Sequence, residues 1–347
     1  MWRWPLSNGD SAPFIRTSER KDFKRCMTRW HWAWREGLRS GGAETATPLW
    51  FGTGVHEALA QWYQLGTKRG DHPADFWLDW VGEEERHVRT ALSEDFREDE
   101  WVDARDLGEA MLDGYIKRYG ADESWDVLFI EHPFQIDIPH PSAKDIASPN
   151  FDPEILATFA GTFDGVYRDL EDDTIWLMEH KTAKIISTGH LPLDDQAGGY
   201  WAIASKILQD RGVLAKGDKI EGITYNFLRK GMPDERPENE EGQKLNKDGS
   251  VSKNQPAPLY LREPVFRDRR ERATQLRRIQ HEVLWMDKAR NAPDILTKTT
   301  NDRCHWDCKF YEMCLLHEKG TDDWKEYRDA MFVRRDPYAD HRKSAAE

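Results

Sequence analysis

The sequence predicts an α/β fold, a central sheet flanked by helices. Three observations carry this. Residues 160–183 read as two short strands joined by an acidic turn, Leu170-Glu171-Asp172-Asp173, whose side chains favour turns by bonding to nearby backbone. Residues 125–138 and 219–229 have the apolar density and alternation of further strands. Helical periodicity fills the intervals between them. The 347 residues are 38% hydrophobic and 33% charged, with 16 tryptophans, enough apolar mass for one large globular domain spanning 1–347. The net charge of −13 argues against a nonspecific nucleic-acid coat, because phosphate contacts need Lys and Arg. An enzyme with a local basic path remains open. No apolar run reaches the roughly 18 residues of a membrane span, and the first ten residues lack the apolar stretch of a signal peptide, so the expectation is a cytoplasmic protein with no membrane partner.

In chain order, residues 11–39 are expected to be helical, with Ser18 as a cap and Phe23, Met27, Trp30 and Trp34 at helical spacing. This places Cys26 inside the helix. Residues 40–48 read as a linker. A helix opened by Gly52 and Gly54 runs to about Leu65 and carries His56. Residues 66–120 form a helical insertion, with helices around Pro73–Arg97 and Trp101–Tyr119. The strand at 125–138 carries Glu131, to which the sequence gives little weight, and 139–152 reads as a loop. After the hairpin a helix is expected from about Pro192 to Asp210, with Gln196 and Tyr200 four apart on one face. Gly198-Gly199 within it costs roughly 1 kcal/mol per glycine against alanine, which implies a close approach. Residues 230–262 read as a flexible loop or flap, and a long helix from about Pro264 to Ala289 follows. Its arginines, with those of 16–39, are the basic stretches of the chain, and the commoner fate of such a run is a solvated face. A last helix is expected to follow Cys314 to about Arg335.

The hairpin holds the chemistry. Residues two apart in a strand share a face, so Glu179 and Lys181 project together while Met178, His180 and Thr182 project the other way. Hairpin pairing can bring Asp164 beside Glu179. The apolar run Ile175-Trp176-Leu177 predicts burial, and buried carboxylates and an ammonium are costly without a purpose. A hard cation such as Mg²⁺ binds carboxylate oxygens, and the lysine can hold a water or stabilise charge on a phosphate. An ordinary surface ion pair of Glu179 with Lys181 is the alternative.

Four cysteines complete the pattern: Cys26, then Cys304, Cys308 and Cys314 in a C-x3-C-x5-C run. Clustered thiols in a cytoplasmic protein bind metal more often than they form disulfides. Four thiolates suit Zn²⁺ or an iron–sulfur cluster, and spacing alone does not separate these from packed free thiols.

Gly161-x-x-Asp164-Gly165-Val166, the short hairpin and Trp176 to Thr182 together resemble the core of the PD-(D/E)XK nuclease superfamily, in its RecB-like branch. His56, following Gly52-Thr53, matches a histidine that this branch supplies to its metal site, and Gln196 and Tyr200 resemble its Q-x-x-x-Y motif. One early and three late cysteines look like the iron–sulfur staple of AddB-type and CRISPR-associated RecB-like exonucleases, whose first late pair is C-x2-C rather than the C-x3-C found here. The resemblance implies a restriction-endonuclease-like mixed central sheet flanked by helices, split at the active site. It implies Mg²⁺ or Mn²⁺ held by His56, Asp164 and Glu179, with the backbone carbonyl of His180 as a further ligand. Lys181 would orient the attacking water, and Gln196 and Tyr200 would position DNA. A 4Fe–4S cluster on Cys26, Cys304, Cys308 and Cys314, or structural Zn²⁺ as the second reading, would pin region 300–335 against the N-terminal helix. The implied function is an exonuclease acting on DNA, single-stranded or with ends, in recombination, repair or phage replication (in the host cytoplasm if phage-encoded). A helicase or recombination partner would supply unwinding, since the chain has no helicase motif. A noncatalytic DNA-binding or assembly module on the same fold is the alternative.

Overall fold

The computed structural model describes residues 13–41, 45–141, 154–292 and 295–339. Its centre is a six-stranded mixed sheet. Strands β3 (Trp125–Pro139) and β4 (Ile155–Asp169) form a long antiparallel pair. The other edge of β4 is shared. The short β1 (Phe14–Ile15) runs parallel to it at Thr158 and Phe159, and β5 (Thr174–Ala183) pairs antiparallel from Gly165 to Asp169. Between these two partners, at residues 160–164, the sheet splits. Beyond β5, β6 (Ile220–Arg229) runs parallel to it and β7 (Tyr260–Phe266) pairs antiparallel with β6. This is the mixed sheet of the restriction-endonuclease-like fold.

Strand alternation divides the apolar mass into two cores. Ile175 and Leu177 face one, with α1 (Thr17–Arg25), α6 (Asp195–Asp210) and α7 (Arg269–Asn291). Trp176 and Met178 face the other, with α3 (Pro48–Trp62), α4 (Pro73–Leu92) and α5 (Glu98–Tyr119). Glu179 continues the first face and His180 the second.

Several elements depart from the sequence expectation, each for a local reason. The N-terminal stretch is not one helix. α1 ends at Arg25, Cys26 is extended (φ −167°, ψ 120°), and α2 (Met27–Trp30) continues into a π-helical turn, His31–Arg35. The cap position is Arg16 rather than Ser18, because β1 ties the preceding residues into the sheet. α3 starts at Pro48, ahead of Gly52. Thr47 accepts from the Trp50 N–H at 3.0 Å and Pro48 takes the first turn, a start signal present in the sequence. α6 starts at Asp195 behind the Asp194 cap, and α7 starts at Arg269 behind an Asp268/Glu271 capping box, five residues later than expected. β7 occupies the end of the stretch read as a flap; its Pro264 is tolerated on an edge strand. Residues 234–255 fold back through two short bridges, Glu238 to Lys244 and Leu245 to Val251. The C-terminal helix is three short ones, α8 (Cys304–Asp307), α9 (Tyr311–Glu318) and α10 (Asp323–Met331), closed by β8 (Phe332–Arg334) pairing with β2 (Leu38–Ser40). Most of the loop expected at 139–152, residues 142–152, and the tail from 340 lie outside the described residues.

Two arginines expected on the basic face are structural. Arg267 is buried and donates to the carbonyls of Leu191 and Pro192. Arg262 makes a two-pronged pair with Asp122, at 2.5 and 2.7 Å. α1, α7 and the turn at Tyr338 meet at Glu19, which is fully buried. It accepts from Trp30 Nε1 at 2.9 Å and from the Tyr338 hydroxyl at 2.5 Å, and lies 3.6 Å from the Arg290 guanidinium.

Candidate active site

The split in the sheet creates the site. The β4–β5 pairing ends at Gly165 and Met178, so the next residues, Asp164 and Glu179, sit where the two strands diverge. Divergence frees the backbone N–H of His180, and Asp164 Oδ2 accepts it at 2.7 Å. On the other edge of β4, Ile130 pairs with Gly165 and His132 with Phe163, which sets Glu131 opposite Asp164. Directly opposed residues of an antiparallel pair share a face. Glu131 also has a positive φ of 29°, a strained backbone for a non-glycine residue and of the kind concentrated at functional sites. α3 crosses this face and delivers His56, whose Nδ1 lies 3.4 Å from Asp164 Oδ1 and 3.8 Å from Glu131 Oε1. Gly54 lets α3 pack closely on α4, since a Cβ there would stand 2.4 Å from the Trp80 ring.

His56, Glu131 and Asp164 thus offer three ligand atoms all within 4.8 Å of one another. Two oxygens and an imidazole nitrogen suit a hard or borderline divalent cation. Glu131 is the member that sequence reasoning passed over. Only strand register reveals it, because 33 residues separate it from Asp164 in the chain. Glu179 stands apart from this trio. It is buried, at 2% exposure, and its Oε1 accepts from Lys181 Nζ. His180 turns its side chain away, with Nδ1 2.8 Å from Asn226 Nδ2; its Nε2 is buried with no hydrogen-bond partner among the described residues.

The electrostatics reflect crowding of negative charge. Burial opposes ionisation of Asp164, but His56 beside it holds it down to about 2. Burial also opposes charge on His56, yet Asp164 and Glu131 lift it to about 9. Glu131 is pushed up to about 8 by burial and by Asp164. Burial raises Glu179 to about 7 against the pull of Lys181, and Lys181 is held above the ordinary lysine range by Glu179 despite burial. Full burial drives His180 down to about 3, so it is neutral. The crowding thus keeps protons on Glu131 and Glu179 that a bound divalent cation would displace.

Gln196 and Tyr200, paired by spacing, part in space. Gln196 lies at the surface and its Oε1 accepts from Lys21 Nζ at 3.1 Å. The Tyr200 ring packs edge-on against Phe134 and Phe163, with burial raising its hydroxyl to about 12. It braces the core beneath the site rather than facing its mouth. Gly198 is where α6 meets α7, for a Cβ would lie 2.8 Å from Gln275 Nε2.

The four cysteines are free thiols. α8 docks on the N-terminal helices through Arg25 and Arg29, both of which donate to the Asp307 carbonyl, at 3.1 and 3.4 Å. Burial pushes the Cys314 thiol up, and Cys26 and Cys308 are near enough to push it further; the Cys304 Sγ accepts from the Asn301 N–H at 3.5 Å. Among the described residues, no three sulfurs close to within 4.8 Å of one another. Zn–S bonds of about 2.3 Å would set tetrahedral sulfurs only about 3.8 Å apart.

A family model of the PD-(D/E)XK nuclease superfamily matches residues 17–315. The chain belongs to this superfamily. The matched span contains α3, the split strands, the Glu179–Lys181 pair and all four cysteines, so sheet, site and thiols fall within one family unit. Members are generally metal-dependent nucleases, and some are noncatalytic. A comparison with curated proteins finds no match. No helix among the described residues is long and apolar enough to cross a membrane.

Proposed function

We propose that this protein is a metal-dependent deoxyribonuclease, an exonuclease of the RecB-like branch that acts on DNA ends. The observation that carries the reading is the convergence of His56, Glu131 and Asp164 beside the Glu179–Lys181 pair. Those three residues would hold Mg²⁺ or Mn²⁺, with Glu179 and the His180 carbonyl as further ligands from β5. The ion supplies Lewis-acid activation of water and neutralises charge developing on the phosphate. Lys181, held in the protonated state, donates hydrogen bonds and orients the attacking water instead of accepting its proton. Asp164 holds the β5 backbone through the His180 N–H, which keeps the Glu179–Lys181 pair in register with the ligands. Gln196 lies at the mouth for the DNA strand, and Tyr200 holds α6 against the sheet. A DNA substrate is what the superfamily implies, and a helicase or recombination partner would supply unwinding in recombination, repair or phage replication. The 4Fe–4S cluster is proposed on Cys26, Cys304, Cys308 and Cys314. It is favoured over structural Zn²⁺ by the order of one early and three late cysteines, which resembles the iron–sulfur staple of RecB-like exonucleases, on segments that already dock.

The test is anaerobic purification, an absorption spectrum for the cluster, and incubation with end-labelled linear DNA in Mg²⁺, Mn²⁺ or EDTA. Metal-dependent degradation is expected in wild type, and a loss on the order of 10³-fold or more in Lys181→Ala with folding and DNA binding kept. A Lys181→Ala protein that cuts normally refutes the site. A brown, folded wild type that binds DNA but never cuts it leaves a noncatalytic DNA-binding module.

A further inference from the structure

We infer that Lys21 is a phosphate-binding position of this site, holding a backbone phosphate of the DNA strand next to the one that is cut. The inference rests on the nuclease reading above. Lys21 lies on α1, far in sequence from every catalytic element, yet its Nζ reaches Gln196 Oε1 at the start of α6. Asp194, Lys181, Glu179 and Asp195 are the charges around it; burial, with Lys181, lowers its proton affinity against the pull of the three carboxylates. Despite three nearby carboxylates it makes no ion pair among the described residues; its partner is a neutral amide.

Lys24, one turn further along the same helix, makes the contrast. Its ammonium pairs with both Asp195 and Glu282. The charge of Lys24 is therefore compensated within the protein, and that of Lys21 is not. Gln196, accepting through its oxygen, keeps its amide N–H donors for a second acceptor. A phosphodiester offers one negative charge and two acceptor oxygens, which an ammonium and an amide side by side satisfy together. The position is rigid as well. Its neighbours Glu19 and Arg20 are buried, and Arg20 pairs with Glu282 at 2.6 Å, so α1 cannot swing and little ordering is needed on binding.

The experiment is equilibrium binding of a short fluorescein-labelled single-stranded oligonucleotide to the full chain, in EDTA so that nothing is cut, over a range of salt. Wild type is compared with Lys21→Met, Lys21→Arg and Lys24→Met. Losing one phosphate contact should weaken binding about tenfold in Lys21→Met. It should also reduce the slope of log Kd against log salt by about 0.7. Lys21→Arg should keep the wild-type slope, and so should Lys24→Met. Equal slopes for Lys21→Met and wild type overturn the inference, as does an equal loss in both methionine variants, which would mark a long-range charge effect. A wild type that does not bind the oligonucleotide also overturns it. A wild type that fails to cleave DNA in Mg²⁺ or Mn²⁺ while retaining the Lys21-dependent slope overturns the nuclease reading and with it the placement beside a cut phosphate, leaving Lys21 as a phosphate contact of a noncatalytic DNA-binding surface.

Discussion

The carboxylate at Glu19 and those at the split of the sheet are buried in different ways. At Glu19 one carboxylate accepts an indole N–H from Trp30 and a phenol O–H from Tyr338 and pairs with the Arg290 guanidinium of α7. At the split of the sheet, Glu131, Asp164 and Glu179 crowd together with only His56 and Lys181 to answer them. Both arrangements shift proton affinities. Only the second leaves a group with ligand atoms converging on a common point. Burial of charge is therefore not by itself the mark of a site. The mark is charge left uncompensated in a fixed geometry, and the uncompensated part identifies what is missing, here a divalent cation.

The comparison can be broken at either end. The largest effect is expected at the structural carboxylate. Glu19→Ala strands Arg290, which is 5% exposed, and should cost roughly 3–5 kcal/mol in urea unfolding, with activity per folded molecule unchanged. If Glu19→Ala instead abolished metal binding while stability held, the two regions would not be separable in the way described. The next effect concerns the site. His56 is raised to about 9 and Glu131 to about 8, and both must release protons before they can hold a metal. Apparent Mn²⁺ affinity should thus rise with pH through neutrality, by up to about tenfold per pH unit for each proton displaced, and flatten above about 9. Calorimetry in buffers of different ionisation enthalpy counts those protons. A pH-independent affinity would contradict the crowding. The effect spread most gradually, over several pH units, belongs to His180. Its value is depressed to about 3 from the ordinary 6.5, so between those limits the unfolded chain binds a proton that the folded chain does not. Stability should fall as the pH drops below about 6.5, by about 1.4 kcal/mol per pH unit from this group. A His180→Asn variant should show a shallower acid limb in urea titrations.

The resemblance and the observed fold agree where local pattern suffices. The hairpin of residues 160–183, the strands on either side of it and the helices between them follow from alternation, turn residues and helical periodicity, signals carried by a few adjacent residues. The caps at Thr47 and Asp268 are equally local and present in the sequence, while the nearby Gly52 and Pro264 suggest boundaries a few residues away from them. The break of the N-terminal helix at Cys26 had no local signal.

By itself the sequence determined which residue types could do chemistry. Glu179 and Lys181 share a face because strand periodicity is two, and Asp164 can meet them because a hairpin folds back on itself. Tertiary structure decided which of the candidates meet. Glu131 joins Asp164 through a register running along two long strands, and His56 arrives on a helix that a glycine lets pass close to a tryptophan. Tyr200 is drawn into the core while Gln196, four residues away, stays at the surface beside Lys21. The physical reason is range. Periodicity and capping act over one or two turns, whereas a ligand set is assembled from segments whose separation in the chain places no limit on their separation in space.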